Sequence, residues 1–275
     1  MSEHIGETEY GFATRAVHVG NEVDKDSGAI KRPITMGNSY ALPYDPADMN
    51  WSSASGNLYT RNGGTNQKYL QQRIASLEGG EDCVVLASGV AALSGLFFAL
   101  LNQGDHVVFS SVTYIAVYRL LNELFNNKFG VETTIVDTSD PANVEAAIRP
   151  NTKLVHIETP GNPTLTVSDI SAIAEIAHRH GALLSVDNTF ASPFNQRPIE
   201  LGADFSVESL TKYINGHGDS MGHGAGRTGD HRCPGGLPAP GHLCQPQCIP
   251  EAGEPPLRCI SDDRAGRRFA LSGRE

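Results

Sequence analysis

Positive charge, long apolar runs and signal-peptide features are scarce in this 275-residue chain, and each shortage excludes a class of protein. Asp and Glu outnumber Lys and Arg by 31 to 21, and an acidic chain without a basic stripe is not suited to bind nucleic acid or an anionic membrane. The longest apolar stretch, residues 91–101, is too short to cross a bilayer. Residues 1–12 lack the basic start and apolar run of a signal peptide, so we expect a cytoplasmic protein.

Valine and lysine are absent from residues 223–275, which nevertheless contain nine Gly, seven Pro and four of the chain's five Cys. This composition is typical of low-complexity sequence, so we expect an irregular, disordered tail. Only Cys244 and Cys248 have the close spacing of a zinc-ligand pair, and we predict no metal site. The abrupt change of composition suggests a shifted reading frame, and a genuine divergent tail is the alternative.

Residues 63–222 have the organisation of an α/β domain, because amphipathic segments alternate with short apolar runs. One such helical segment has Ser168 as its candidate N-cap and Gly181 as its stop. Strands this apolar are usually covered on both faces, so we predict a mainly parallel sheet between helix layers. The predicted strands are residues 83–88, 106–110, 133–137, 154–159, 182–187 and 203–208.

Polar residues follow five of these runs. In parallel sheets, ligands bind beyond the carboxyl ends of the strands, so these side chains should meet at one edge. A single polar residue at a strand end would mean little, but five such ends together predict a binding site. The residues are Ser88 and Gly89, Tyr114, Glu158 to Asn162, Asp187 to Thr189, and Ser209, Thr211 and Lys212.

The pairing of Asp187 with Lys212 indicates a site for pyridoxal 5'-phosphate. Lys212 can form a Schiff base with the cofactor aldehyde, and Asp187 can keep the pyridine nitrogen protonated. The hydroxyl groups of Ser209 and Thr211 can bind the phosphate, as can the start of a helix at residues 88–92.

Each of these residues also has an ordinary structural interpretation. An aspartate after a strand is commonly a turn residue, and most lysines are simply solvated. Tyr114 alone would more often be a core or interface aromatic residue. The inference therefore depends on the combination and not on any one member.

The ordered motifs place the chain in a recognisable family. Residues 14–222 resemble the Cys/Met-metabolism family of pyridoxal-phosphate enzymes. The resemblance implies a fold-type I architecture, with an N-terminal arm at residues 1–62, a cofactor-binding domain at 63–222 and then a smaller C-terminal domain. The motifs are YTR at 59–61, SGVAA at 88–92, TYIAVYR at 113–119, ETPGNP at 158–163, VDNTF at 186–190 and SLTKYINGHGD at 209–219.

The resemblance also implies roles for individual residues. Lys212 corresponds to the Schiff-base lysine and Asp187 to the partner of the ring nitrogen. Tyr114 resembles the tyrosine that stacks on the ring and assists proton transfer, and Asn162 resembles the residue that binds the phenolic oxygen. The catalytic candidates are thus Lys212, Tyr114 and Asp187.

Further residues are implied for the cofactor's phosphate and surroundings. Gly89 and Val90 should offer backbone N–H groups, with hydroxyl groups from Ser209 and Thr211, and Thr189 completes the cofactor-binding set. The resemblance assigns the pair at the 59–61 motif, Tyr59 and Arg61, to the phosphate of a neighbouring subunit, so it implies a homo-oligomer, either a dimer or a tetramer.

The implied reaction is elimination or replacement at the β or γ carbon of a sulfur amino acid or a homoserine ester. The segment Ile115 to Val117 replaces a family loop that carries cysteine in methionine γ-lyases, which weighs against that substrate. Nothing in residues 223–275 resembles the family's C-terminal domain. The alternative is therefore a truncated, catalytically defective member that at most binds pyridoxal phosphate or a partner subunit.

Overall fold

A mixed sheet forms the centre of the computed structural model, which describes residues 10–45, 48, 59–61 and 63–227. Within these residues the sheet has seven strands in the order β1-β7-β6-β5-β4-β2-β3, and only β7 runs antiparallel to its neighbours. This confirms the predicted mainly parallel sheet. The strands are β1 (Asp82–Leu86), β2 (His106–Ser110), β3 (Glu132–Val136), β4 (Thr152–Glu158), β5 (Leu183–Asp187), β6 (Phe205–Glu208) and β7 (His223–Arg227).

Helices connect the strands and cover the sheet. The longest, α2, ends where Gly79 adopts a left-handed conformation, as the glycine pair at its end predicts. No helix in the part of the chain that the structure describes is long and apolar enough to span a membrane. The helices are α1 (Phe12–His18), α2 (Thr65–Glu78), α3 (Gly89–Leu100), α4 (Ile115–Tyr118), a π-helical segment (Arg119–Phe125), α5 (Asn126–Phe129), α6 (Pro141–Ala147), α7 (Ile170–Arg179), α8 (Ser192–Asn195) and a 3₁₀ turn (Ile199–Leu201).

One prediction of local structure needs correction. The N-cap of α7 is Asp169, whose carboxylate accepts the Ala172 N–H at 3.0 Å. Ser168 is buried instead, and its hydroxyl group lies 2.8 Å from that of Thr138. The N-terminal segment contains a helix, α1, which packs on α2.

Apolar side chains from the sheet enter two separate cores. In β2, Val107 and Phe109 face the layer of α3 and the π-helical segment, whereas Val108 faces the layer of α6 and α7. This alternation follows from the two-residue period of a strand. Both faces of the sheet are therefore covered, which is why the strands carry apolar residues on both sides.

Strand β7 belongs to this sheet, although it comes after residue 222, where the domain was predicted to end. It pairs with β1 on one side and β6 on the other. A Cβ on Gly224 would lie only 3.1 Å from Ile74 Cγ2, so glycine lets α2 pack closely here. The prediction missed this strand because its sequence, HGAGR, lacks the apolar alternation of a strand. The rest of the predicted tail, residues 228–275, lies outside the described residues.

Two carboxylic acids lie together in the interior, Glu78 at the end of α2 and Glu208 at the end of β6. Both are essentially inaccessible to solvent. Burial raises the pKa of both carboxyl groups, and the charge of Glu78 raises the pKa of Glu208 further. Asn188 Nδ2 donates to Glu208 Oε1 at 2.8 Å. Because two adjacent buried acids resist double ionisation, we infer that Glu208 retains a proton.

We predict that Glu208→Gln reduces the dependence of stability on pH. A raised carboxyl pKa contributes stability below its ordinary value of 4.5 and loses it as pH rises through the folded-state value. Glutamine retains an acceptor for Asn188 and has no proton to lose. The free energy of unfolding, measured with urea, should fall between about pH 5 and about pH 8, and it should fall less in the variant. The difference should be about 1.4 kcal/mol for each unit by which the pKa of Glu208 in the folded state exceeds that in the unfolded state.

The matched control is Glu175→Gln, which changes an exposed glutamate on α7. It should show the pH dependence of the unsubstituted chain. An unchanged pH dependence in Glu208→Gln would show that the buried pair is not linked to stability.

Candidate active site

The carboxyl ends of five parallel strands meet at one edge of the sheet. Strands β1, β2, β4, β5 and β6 all point towards this edge, and each is followed by residues that the sequence predicts for the site. The structure therefore brings together Gly89 and Val90, Tyr114, Asn162, Asp187 and Thr189, and Ser209, Thr211 and Lys212 on the segments that leave this edge.

Helix α3 begins directly after β1 and presents its N-terminus at the edge. Ser88 is the N-cap, and its side chain accepts the Ala91 N–H at 3.2 Å. Gly89 and Val90 are the first two helical residues, and their N–H groups have no carbonyl partner within the helix. Such groups, together with the helix dipole, make the start of a helix suited to a phosphate.

Asp187 ends β5 and is 6% exposed. Burial raises the pKa of its carboxyl group, while hydrogen bonds from Thr189 lower it. Among the described residues, no basic side chain forms an ion pair with Asp187. A protonated pyridine nitrogen would supply the missing positive charge, so this carboxylate fits the cofactor that the sequence implies.

Thr189 links the ends of β5 and β6. Its N–H donates to Asp187 Oδ1 at 3.1 Å, and its hydroxyl group accepts the Ser209 N–H at 2.9 Å. The threonine therefore fixes the segment that carries Ser209 relative to the buried aspartate. Its side chain thus positions Ser209, a role that its place in the sequence alone does not reveal.

Lys212 lies on a turn that follows β6, and its side chain is exposed. Its N–H donates to Ser209 O at 3.0 Å, and its carbonyl accepts the Gly216 N–H at 2.8 Å. The hydroxyl group of Thr211 accepts the Gly222 N–H at 3.2 Å and donates to the Gly222 carbonyl. The turn is thus held to the chain that enters β7, and in this structure Thr211 contacts Gly222 where the prediction assigns it a phosphate.

Glu158 ends β4 and connects two loops of the site. Its Oε2 accepts the Tyr114 N–H at 2.6 Å, and its Oε1 accepts the Asn162 N–H at 2.8 Å. Glu158 is paired with Asp187 in the register of β4 and β5. Burial raises the pKa of Glu158 to about 7, the charge of Asp187 adds to this effect, and the two backbone donors oppose it.

The sequence indicates Glu158 as one of the polar residues at a strand end but suggests no function for it. Its contacts depend on how the loops after β2 and β4 approach each other, and no local pattern encodes that approach. The only signal in the sequence was an acidic residue at the end of an apolar, strand-like run.

Tyr59 and Arg61 lie on a separate segment. The Arg61 guanidinium is 5.0 Å from the centre of the Tyr59 ring, and Thr60 N–H donates to Asn38 O at 3.0 Å. Among the described residues, no hydrogen bond, ion pair or ring contact joins Tyr59 or Arg61 to the edge of the sheet. The structure of one chain does not bring this pair into the site.

The described ranges contain no group of three or more His, Cys, Asp or Glu residues placed to hold a metal ion. The carboxyl edge of the sheet carries the N-terminus of α3, which can bind a phosphate, the buried carboxylate of Asp187, which can bind a ring nitrogen, and the exposed Lys212, which can react with an aldehyde. These three features suit pyridoxal 5'-phosphate, and they define an α/β protein of the fold-type I class.

Comparison with known proteins gives the family. Residues 13–228 match the model of the Cys/Met metabolism PLP-dependent enzymes, and the chain belongs to that family. Its cofactor is therefore pyridoxal phosphate, as the sequence predicts. Among curated relatives, the chain is similar to a canavanine γ-lyase of Rhizobium leguminosarum, with 56% identity over 77% of this chain, and to an L-methionine γ-lyase of Porphyromonas gingivalis, with 42% identity over 76%.

Solved structures confirm the fold. The chain resembles metB from Corynebacterium glutamicum with a TM-score of 0.77 and 40% identity, covering 82% of this chain and 57% of that one. It resembles a cystathionine γ-lyase from Lactobacillus plantarum, complexed with L-serine, with a TM-score of 0.74 and 35% identity, covering 80% and 55%. The chain spans 53% of the length of both curated relatives.

Proposed function

We propose that the chain acts in the cytoplasm in pyridoxal-phosphate-dependent elimination or replacement at the γ carbon of an amino acid. The observation that carries the proposal is the shared strand edge, where a buried carboxylate with no ion pair among the described residues, a helix N-terminus and Lys212 occur together. The family and the γ-lyase relatives support the same chemistry.

Each residue has a definite task in this proposal. Bound pyridoxal phosphate supplies an electron-withdrawing ring that stabilises negative charge at the substrate α carbon. Asp187 would hold the proton on the ring nitrogen, and Lys212 would attach the cofactor and move protons at the substrate. Tyr114 would lie against the ring and assist proton transfer, and Asn162 would bind the phenolic oxygen.

The phosphate group would be bound at the start of α3. The N–H groups of Gly89 and Val90 would donate to it there, where the helix dipole also favours an anion. Ser209 adds its hydroxyl group, as does Thr211 if its contact with Gly222 is exchanged for one with the phosphate.

The substrate that we propose to test first is L-canavanine. Two curated relatives named canavanine γ-lyase are each 56% identical to this chain, whereas the methionine γ-lyases are 40–42% identical. Canavanine carries its guanidine group on an oxygen at the γ carbon, and homoserine esters carry an acyl group on the same oxygen. A leaving group bonded through an oxygen at the γ carbon is therefore common to the homoserine esters expected from the sequence and to the canavanine in the relatives' names.

We also propose that the active form is a homo-oligomer in which Tyr59 and Arg61 bind the phosphate of a neighbouring copy. Both side chains are exposed, and apolar residues on the preceding segment are exposed as well. Ile30, Ile34 and Met36 are each at least 79% exposed, which favours burial against another chain.

We predict that Lys212→Ala removes cofactor attachment. Addition of pyridoxal phosphate to the unsubstituted chain should give the visible absorption of the lysine-bound cofactor, and this band should be absent from the variant. Lys128→Ala is the control, since Lys128 lies at the end of α5. Retention of the band in Lys212→Ala would remove Lys212 from its proposed role.

We predict that the reaction is selective for a γ-oxygen. Canavanine, O-acetylhomoserine and methionine are supplied to the cofactor-loaded chain, and 2-oxobutanoate with ammonia reports elimination, whereas homoserine reports replacement by water. Turnover on the order of 1–10³ s⁻¹, faster with canavanine than with methionine, is the expected result. Cofactor binding without any product would favour the alternative of a catalytically defective chain.

Mixing two variants tests the shared site. Arg61→Ala should bind pyridoxal phosphate weakly and Lys212→Ala should not attach it, but a mixed oligomer contains one site with both residues intact. Co-expression of the two variants should therefore give a stronger absorption band at limiting cofactor than the average of the separate variants. A band equal to that average would show that Arg61 does not serve a neighbouring copy.

A further inference from the structure

Glu158 is the only residue of the described chain whose side chain accepts hydrogen bonds from both Tyr114 and Asn162. Its two oxygens each accept one backbone N–H, at 2.6 and 2.8 Å. The residues so joined come from different loops, one after β2 and the other after β4. A rigid carboxyl group therefore sets the separation between these two loops.

A second contact brings the same loops together. Gly161, which lies between Glu158 and Asn162 in the sequence, is buried. A Cβ on Gly161 would lie 2.7 Å from Val112 Cγ1, which belongs to the loop before Tyr114, so only glycine allows this approach. The loops are thus packed against each other as well as hydrogen-bonded through Glu158, and a small change at either contact would shift both.

Glu158 is buried beside another carboxyl group, which is an unfavourable environment for a residue that serves only to accept hydrogen bonds. It is 5% exposed and lies beside Asp187, its partner in the strand register. Two neighbouring carboxylates repel each other unless one is protonated or a cation lies close by. The groups that act on Glu158 are the charge of Asp187 on β5, the two loop N–H groups and the side chain of Thr113.

We propose that Glu158 is a positioning residue that sets the spacing of Tyr114 and Asn162 around the cofactor ring. The proposal rests on the proposed function, because it assigns these two residues to the ring. A proton on the ring nitrogen would offset the charge of Asp187 and so favour the ionised form of Glu158. Cofactor binding and the protonation of Glu158 are then linked.

The test uses Glu158→Gln in the complete chain. Glutamine has the same shape, but its NH₂ group faces one of the two N–H donors, so one hydrogen bond is lost. We expect about tenfold weaker binding of pyridoxal phosphate, the usual effect of one lost hydrogen bond. Glu175→Gln on α7 is the matched control and should bind the cofactor like the unsubstituted chain.

Two further measurements separate positioning from simple loss of structure. The ratio of cofactor affinities of the unsubstituted chain and Glu158→Gln should change between about pH 6 and about pH 8, because only the former can ionise at residue 158. Hydrogen exchange without cofactor should be faster at the Tyr114 and Asn162 amides of the variant and unchanged in β5. Glu158→Asp, which keeps the charge but is too short to bond both amides, replaces the variant if glutamine prevents folding.

Equal cofactor affinity with an unchanged pH profile would overturn the proposal. Unchanged exchange at both amides would also overturn it, whether or not pyridoxal phosphate binds. Absence of the lysine-bound absorption band from the unsubstituted chain would instead contradict the proposed function, and the exchange measurement would still decide whether Glu158 fixes the loops.

Discussion

Three adjacent strands end on buried carboxylic acids, and the arrangement of the site depends on how these charges are compensated. Glu158, Asp187 and Glu208 are the last residues of β4, β5 and β6, and none is more than 6% exposed. Burial opposes ionisation of all three, so each needs a proton, a hydrogen-bond donor or a cation. Glu158 receives loop N–H groups, Glu208 receives an amide, and Asp187 receives the Thr189 N–H, so that a cation from a ligand would complete the compensation of Asp187.

The compensation also explains why the surrounding loops have fixed conformations. The donors that serve the acids are backbone and amide groups of the same loops that carry the site residues. Asn188 bonds Glu208 and is itself held by Gln196, and Thr189 bonds Asp187 and Ser209. Hydrogen bonds are stronger in a buried environment, so these contacts favour one arrangement of the loops around the site.

The fold and the strand-end residues were predictable because both depend on local patterns. Apolar runs identify the strands, and the rule for parallel sheets places their polar followers at one edge. The contacts of Glu158 and the strand at residues 223–227 were not predictable, because they depend on the approach of distant segments. Glycine-rich β7 is stabilised by two neighbouring strands and close packing with α2, and its own sequence carries no strand pattern.

Strand β7 also determines the width of the site. It lies between β1 and β6, so the helix start at Gly89 and the turn that carries Lys212 are separated by two strand spacings, about 9–10 Å. Because β7 runs antiparallel, it enters the sheet at the edge where its neighbours end, and Thr211 in the lysine turn is hydrogen-bonded to Gly222, the residue before β7. The reversed strand thus sets the spacing between the helix start, which suits a phosphate, and Lys212, which suits the aldehyde on the neighbouring ring position of the same ligand.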